Sequence, residues 1–308
     1  GNDTPLAVLS DKSQLTFNYF KQLFAQVSNP PLDAIREELV TSLEAFIGSE
    51  QNLFEETPEH CNQLRLHQPI LTNDELDKIR TMPEDLMKVT TCSTLFDTTL
   101  GHGELETAIK QLCESVSEAV DAGNSIIILS DLGINDRFAP IPSLLATSAV
   151  HHHLIRQGKR TKVGLIVQSG EPREVMHFAL LIGYGAGGIN PYLALDTLEE
   201  NISDGTILGE IDVYTGQKNF IKAIGKGVLK IMSKMGISTV QSYRGAQIFE
   251  AIGLSQELID NYFTWTPSRV GGIDISHIES DSRQRHEAAY ANSPVLGALD
   301  LDQGGIYQ

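Results

Sequence analysis

Cysteine is scarce in this sequence: Cys61, Cys92 and Cys113 are the three in 308 residues. They are odd in number, widely spaced and in no CxxC arrangement, which argues against a disulfide framework and against a zinc or iron–sulfur site. Inert thiols in a reducing compartment are the expectation. Basic residues are also few, 23 against 40 acidic ones, for a formal charge of −17. Such a surface repels phosphate backbones and anionic lipid, so neither nucleic acid nor membrane is expected as a partner. No apolar run is long enough to cross a bilayer, and the first residues, GNDTPLAVLSDKS, lack the basic start and apolar centre of a secretory signal. A cytoplasmic location is expected. The sequence opens without methionine and ends at GGIYQ, which reads as a piece cut from a longer polypeptide.

What is present is globular: 41% hydrophobic and 20% charged residues, enough for one large α/β domain or two ordinary ones. Phe17, Phe20, Leu23, Phe24 and Val27 recur at helical spacing, Ser28-Asn29-Pro30-Pro31 interrupts, and Ile35, Leu39, Val40, Leu43 and Phe46 recur again. The pattern predicts an N-terminal helical hairpin. Residues 49–89 read as a long polar connection with local turns and a short helix-like NDELDKI, so 1–89 form a helical and linking portion. From Thr90 the grammar changes. TTCSTLFD, SIIILSD and KVGLIVQS are strand-like, with the helices 103–122, 142–157 and 171–181 between and after them, and a further helix follows Asn190-Pro191. Residues 225–235 give an amphipathic helix that Gly236 stops, 237–243 a strand, and AQIFEAIGL a second helix. Repeated βα units over residues 90–280 predict an α/β domain, a rudimentary or incomplete TIM-barrel-like one. After Leu254, residues 262–273 suggest a docking segment, and 281–308 an exit segment that starts as a helix.

Few candidate sites emerge. Gly183, Gly185 and Gly188 match GxGxxG, but they follow a helix where a dinucleotide site needs a strand, so a bend into the sheet is the better reading. His151, His152 and His153 point about 100° apart on a helix and cannot converge on one ion. His177, alone on an apolar face, reads as a core histidine. No nucleophile, base and orienter set of the usual kinds is visible. Ser130-Asp131, Gln168-Ser169-Gly170-Glu171 and Ser242-Tyr243-Arg244-Gly245 each follow a strand in this reading, and would gather at its carboxyl edge. There, Arg244 with a helix opening at Gly245 would make an anion site. The competing expectation is that Arg244 pairs with Asp131 or Glu171.

Several long segments carry a family resemblance. SKMGISTVQSYRGAQIFEAIGL, the start GNDTPLAVLS, the run Phe24 to Glu37 (close to FAQVxNPPxDxxRE), LLATSAVHHHLIRQGKR, HFALLIGYGAGGINPYLA and RVGGIDISHIESDSRQRHEAAY resemble the central domain of glutamate synthases, of the ferredoxin-dependent kind. The resemblance covers nearly the whole chain. It implies a domain between a glutamine amidotransferase domain and an FMN-binding synthase domain, in a parent that makes L-glutamate from L-glutamine and 2-oxoglutarate. The FMN and iron–sulfur cluster belong to other parts of that parent, its electron donor is either ferredoxin or NAD(P)H, and plastid stroma is its location in a plant or alga. The central domain is implied to have no turnover or cofactor of its own, to connect its neighbours and to help wall an ammonia passage. Ser28, Asn29, Pro30 and Pro31 are implied to face that passage, with Thr90 and Thr91 as further positions. The exit segment 281–308 would lead to the FMN-binding domain. The alternative is a free-standing β/α-barrel enzyme that binds a flavin or sugar phosphate near Arg244.

Overall fold

The computed structural model describes residues 6–23, 32, 33, 35–207 and 211–290. Among the described residues the expected N-terminal helical hairpin is not found. Thr16–Tyr19 make a single 3₁₀ turn that leads into strand β1 (Phe20–Gln22). The aromatic spacing there serves packing: Phe17 stacks on His177 at 4.3 Å, and Phe20 meets Phe263 at 4.9 Å between ring centroids. The second predicted helix shrinks to α1 (Glu37–Val40), and Ala45–Ile47 becomes strand β2. Ile35 and Leu39, expected on a buried face, are 93% and 83% exposed. A four-residue helix has too few internal hydrogen bonds to stand alone; here Lys226 and Lys230 lie 3.6 and 3.4 Å from Glu38 and Glu37. The supposed polar connection is ordered too. It contains β3 (Leu64–Leu66), antiparallel to β2, and α2 (Asn73–Arg80), opened by a reciprocal capping box between Thr72 and Glu75.

The centre follows the βα reading. It runs β4 (Val89–Ser93), β5 (Leu95–Asp97), α3 (Glu104–Asp121), β6 (Ile126–Ser130), β7 (Phe138–Pro140), α4 (Ser143–Arg156), β8 (Gly164–Gln168), α5 (Val175–Gly183), β9 (Gly188–Asn190) and α6 (Tyr192–Ser203). β5 and β7 make a small antiparallel pair. The other four strands form one parallel sheet in the order β4-β6-β8-β9, which is also their order in the chain. Every crossover therefore steps the same way, and right-handed crossovers place the connecting helices on one face. α3 packs on α4 and α4 on α5. This is the winding of a barrel rather than of an open doubly wound sheet. It does not close: beyond β9, Ile70 forms a single parallel bridge to Ile189, and among the described residues β4 is an outer edge. All residues of β6 and β8 are buried, as continuous apolar runs in a covered parallel sheet should be.

The last part is α7 (Val213–Met235), α8 (Val240–Tyr243), β10 (Phe249–Leu254), α9 (Gln256–Tyr262), β11 (Ser268–Ile273) and α10 (Ile275–Tyr290). The expected strand after Gly236 is instead α8, capped by the Thr239 hydroxyl accepting from the Ser242 N–H. The expected helix AQIFEAIGL is strand β10, held antiparallel to β1 on one side and parallel to β11 on the other. The docking segment thus becomes part of a sheet. From Asp281 the chain is helical, as α10, whose Ile278, Glu279, Ser282 and His286 are buried against the domain. Gly236 ends α7 at φ 70, a left-handed conformation that costs an L side chain roughly 1 kcal/mol or more. Gly236→Ala is expected to lower stability by about 1 kcal/mol. The check is a lower urea midpoint at unchanged slope.

Candidate functional site

In a parallel sheet the strand ends point one backbone edge toward solvent, and ligands collect there. Here β6 delivers Ser130 and Asp131, β8 delivers Gln168, Ser169, Gly170 and Glu171, and β9 delivers Asn190 followed by Tyr192. The sequence reading brought the first two groups together correctly. The edge is not open, however. Ser130, Asp131, Gln168, Ser169 and Asn190 are all 6% exposed or less, so each polar atom must find a partner inside.

Most of these atoms find one in another residue of the edge. The Ser130 hydroxyl and the Arg80 guanidinium both donate to Gln168 Oε1, each at 2.7 Å. The Ser169 hydroxyl donates to Asp131 Oδ2 at 2.6 Å, and the Gly170 N–H reaches the same carboxylate at 3.2 Å. Glu171 Oε2 accepts from the backbone N–H and hydroxyl of Ser143, at 2.7 and 2.6 Å. Asn190 Nδ2 donates to Leu71 O and Asn73 Oδ1, whereas its Oδ1 has no partner among the described residues. Burial pushes the Asp131 carboxyl up to about 6, Glu171 adds to the shift, and hydrogen bonds from Ser169, Tyr192 and Gly170 oppose it. Arg80, Ser143 and Tyr192 were not singled out in the sequence. The capping box Thr72-x-x-Glu75 was the signal for the helix that carries Arg80.

The pattern bears on a flavin phosphate, which binds where unpaired N–H groups gather at strand–helix turns. Two such donors, Gly170 N–H and Ser143 N–H, are already taken by the carboxylates of Asp131 and Glu171. A phosphate would meet two built-in carboxyl groups in place of free donors. The residues at this edge do not fit FMN.

Arg244 and Gly245 lie elsewhere. No helix opens at Gly245: it has φ 72, its N–H bonds Gly183 O at 3.0 Å, and strand β10 follows. Because Gly183 ends α5 and the chain then enters β9, this turn is beside the amino edge of the sheet. Arg244 therefore pairs with neither Asp131 nor Glu171, whose oxygens are engaged at the opposite edge. Thr90 and Thr91 sit on β4, paired with Ile127 and Ile128, Thr90 half-buried and Thr91 exposed. Ser28, Asn29, Pro30 and Pro31 lie outside the described residues.

The remaining candidates separate by helix geometry. His151 Nδ1 accepts from Arg160 Nε at 2.8 Å, while His153 Nε2 shares a hydrogen bond with Ser117 Oγ at 2.8 Å. His177 is 4% exposed and accepts from the Arg173 N–H. Cys61 is exposed, Cys92 half-buried and Cys113 buried, and among the described residues no three His, Cys, Asp or Glu side chains gather as a metal-holding group. No described helix is long and apolar enough to cross a membrane.

Residues 1–255 match the family model described as the glutamate synthase central domain. The large chain of NADPH glutamate synthase from Bacillus subtilis is 50% identical over 94% of this chain and 19% of its own length. The NADH glutamate synthase of Schizosaccharomyces pombe is 41% identical over all of this chain and 15% of its own. Ferredoxin-dependent glutamate synthase 2 of Synechocystis is 44% identical over all of this chain and 20% of its own. The chain thus spans a fifth or less of the length of these relatives. Among solved structures, a flavocytochrome b2 mutant with benzoylformate is similar at a TM-score of 0.39 and 13% identity, over 65% of this chain and 45% of that one. This chain belongs to the glutamate synthase central domain family.

Proposed function

We propose that the chain is the connecting domain of a glutamate synthase, set between a glutamine amidotransferase domain and an FMN-binding synthase domain. In that role it joins the two, helps wall the route taken by ammonia between them, and performs no turnover itself. The parent makes L-glutamate from L-glutamine and 2-oxoglutarate, with FMN and an iron–sulfur cluster held outside this chain. The observation that carries the reading is the family match over residues 1–255 in relatives five or more times longer. The relatives named use NADPH, NADH or ferredoxin, so identity does not select the donor. The sealed carboxyl edge supports the absence of a flavin site.

Thr90, Thr91 and the segment Ser28 to Pro31 are the proposed passage positions. The test uses the full parent with Thr91→Phe. Glutamine-driven glutamate formation is expected to fall several-fold and free ammonia to accumulate, while synthesis from added ammonia holds. An equal fall with both nitrogen sources would remove Thr91 from the passage. In parallel, FMN titrated into the 308-residue chain is expected to leave flavin fluorescence unchanged. Saturation at micromolar FMN would overturn the connecting role in favour of a flavin-binding enzyme.

A further inference from the structure

The amino edge of the sheet holds two arginines in an arrangement that the connecting role does not use. Arg160 is fixed by three hydrogen bonds: Nε to His151 Nδ1 at 2.8 Å, one terminal nitrogen to Val163 O at 2.7 Å and the other to Gly185 O at 2.9 Å. Gly185 has φ 117, and a Cβ there would run into the His151 ring, so backbone and imidazole are in direct contact. Two residues earlier in the same turn, Gly183 O accepts from the Gly245 N–H. The Arg160 guanidinium and the Arg244-Gly245 turn are thus pinned to one short stretch of chain.

Arg244 is half-buried, and among the described residues its guanidinium has no hydrogen-bond or ion-pair partner. Its side chain is also close enough to Arg160 and His151 to disfavour their charged forms. The carboxylate that acts on both arginines is Glu50, whose backbone N–H bonds Thr161 O. Glu50 is exposed and is in ion-pair contact with neither of them. Two guanidinium groups anchored to one short stretch of chain in a part-buried place repel one another, and His151, accepting rather than donating, adds no negative charge. Arginine presents paired N–H donors that match the two oxygens of a carboxylate or phosphate.

We propose that Arg160 and Arg244 form a binding site for a single oxyanion, a carboxylate or a phosphate group, at the amino edge of the parallel sheet. Arg160 is the fixed wall, and Arg244 is the arm that closes on the anion. The inference does not depend on the connecting role, since it concerns the isolated chain as much as the parent.

The test titrates inorganic phosphate, and separately acetate, into the 308-residue chain against chloride at equal ionic strength. Melting temperature and the Arg Nε–H resonances are the readouts. At a hundredfold excess over Kd, phosphate or acetate is expected to raise Tm by about 4 °C and to shift the Arg244 resonance. Arg244→Gln should abolish both responses, Arg244→Lys should weaken them, and Lys222→Gln, a control on α7, should leave them intact. In the longer parent the two sources of the anion separate. If a carboxylate of the surrounding polypeptide fills the site, the phosphate response vanishes there and Arg244→Gln destabilises the parent more than the chain. If the anion is free, the response persists. The proposal is overturned if neither anion acts beyond chloride on the chain, or if Arg244→Gln keeps the response.

Discussion

Arg283→Ala is expected to cost about 3–5 kcal/mol and to release the C-terminal helix α10, because it would break a buried ion pair and leave one partner behind. Glu279 is 2% exposed at its side chain and Arg283 13%. Arg283 donates to Glu279 Oε1 through Nε at 2.9 Å, and its remaining nitrogens reach the carbonyls of Thr98, Leu100 and Gly101. The other Glu279 oxygen accepts from the Gly103 N–H at 2.8 Å, where α3 begins and the helix dipole favours a negative charge. The guanidinium also stands over the Phe96 ring, 5.5 Å from its centroid. Five groups from the 96–103 segment are thus tied to one turn of α10. Urea unfolding measures the loss, and limited proteolysis locates it at residues 275–290. Glu279→Gln should cost less, since an amide oxygen still accepts from Gly103. A loss below about 1 kcal/mol for Arg283→Ala would mean that the pair is solvated like an ordinary surface bridge.

Stability is expected to fall steeply as pH drops from 6.5 to 4, chiefly through the buried His177 and the half-buried His151 and His152. Burial, with Arg173 nearby, pulls His177 down to about 4; burial with Arg156 does the same to His152, and burial with Arg160 takes His151 to about 2. A histidine with a folded-state value below its unfolded 6.5 binds fewer protons when folded. Its contribution is complete above pH 6.5 and is lost as pH falls toward the folded value. Asp131 runs the other way. Its folded-state value of about 6 lies above the unfolded 3.8, so its contribution is complete below 3.8 and is lost as pH rises through 6. Three histidines with larger shifts outweigh one carboxyl, so acid wins. For His177, 4% exposed, the shift corresponds to roughly 3 kcal/mol. His177→Gln removes the titration and keeps an acceptor for the Arg173 N–H, so the variant should lose about 3 kcal/mol less between pH 6.5 and 4. Asp131→Asn should steepen the wild-type loss. Parallel curves for wild type and His177→Gln would show that the ring is protonated without opening the core.

How much of this was legible in the sequence depended on how local the cause was. β6 and β8 were plain because SIIILS and GLIVQ are apolar throughout, and α3 because its buried positions Leu105, Ile109, Leu112 and Val116 keep helical spacing. The glycine bend between α5 and β9 was legible because the helix before it excluded a nucleotide loop. β10 was misread because Ile248, Phe249 and Ile252 satisfy a helical spacing as well as a strand; burial of Phe249 and Ala251, with Glu250 between, decides for the strand. That decision is made by β1 and β11, partners remote in the chain. The supposed hairpin failed for the same reason, since Phe20 is held by β10 rather than by its own neighbours. At the candidate site, the strand ends could be named in advance. That their donors would be consumed by Asp131 and Glu171 could not, because it depends on rotamers and on Ser143, a residue of another crossover.

The order of the strands carries a consequence for how the chain folds. β4, β6 and β8 each pair with the next parallel strand to be made, so the half-barrel is assembled from contacts of modest sequence separation and can form as the polypeptide emerges. β1 precedes all of them in the chain, yet its partner Phe249–Ala251 follows all of them. Its ladder must therefore close late, over a long loop whose entropy is overcome only once the half-barrel stands. Until then β1 waits as an unpaired edge, a segment that a chaperone would protect.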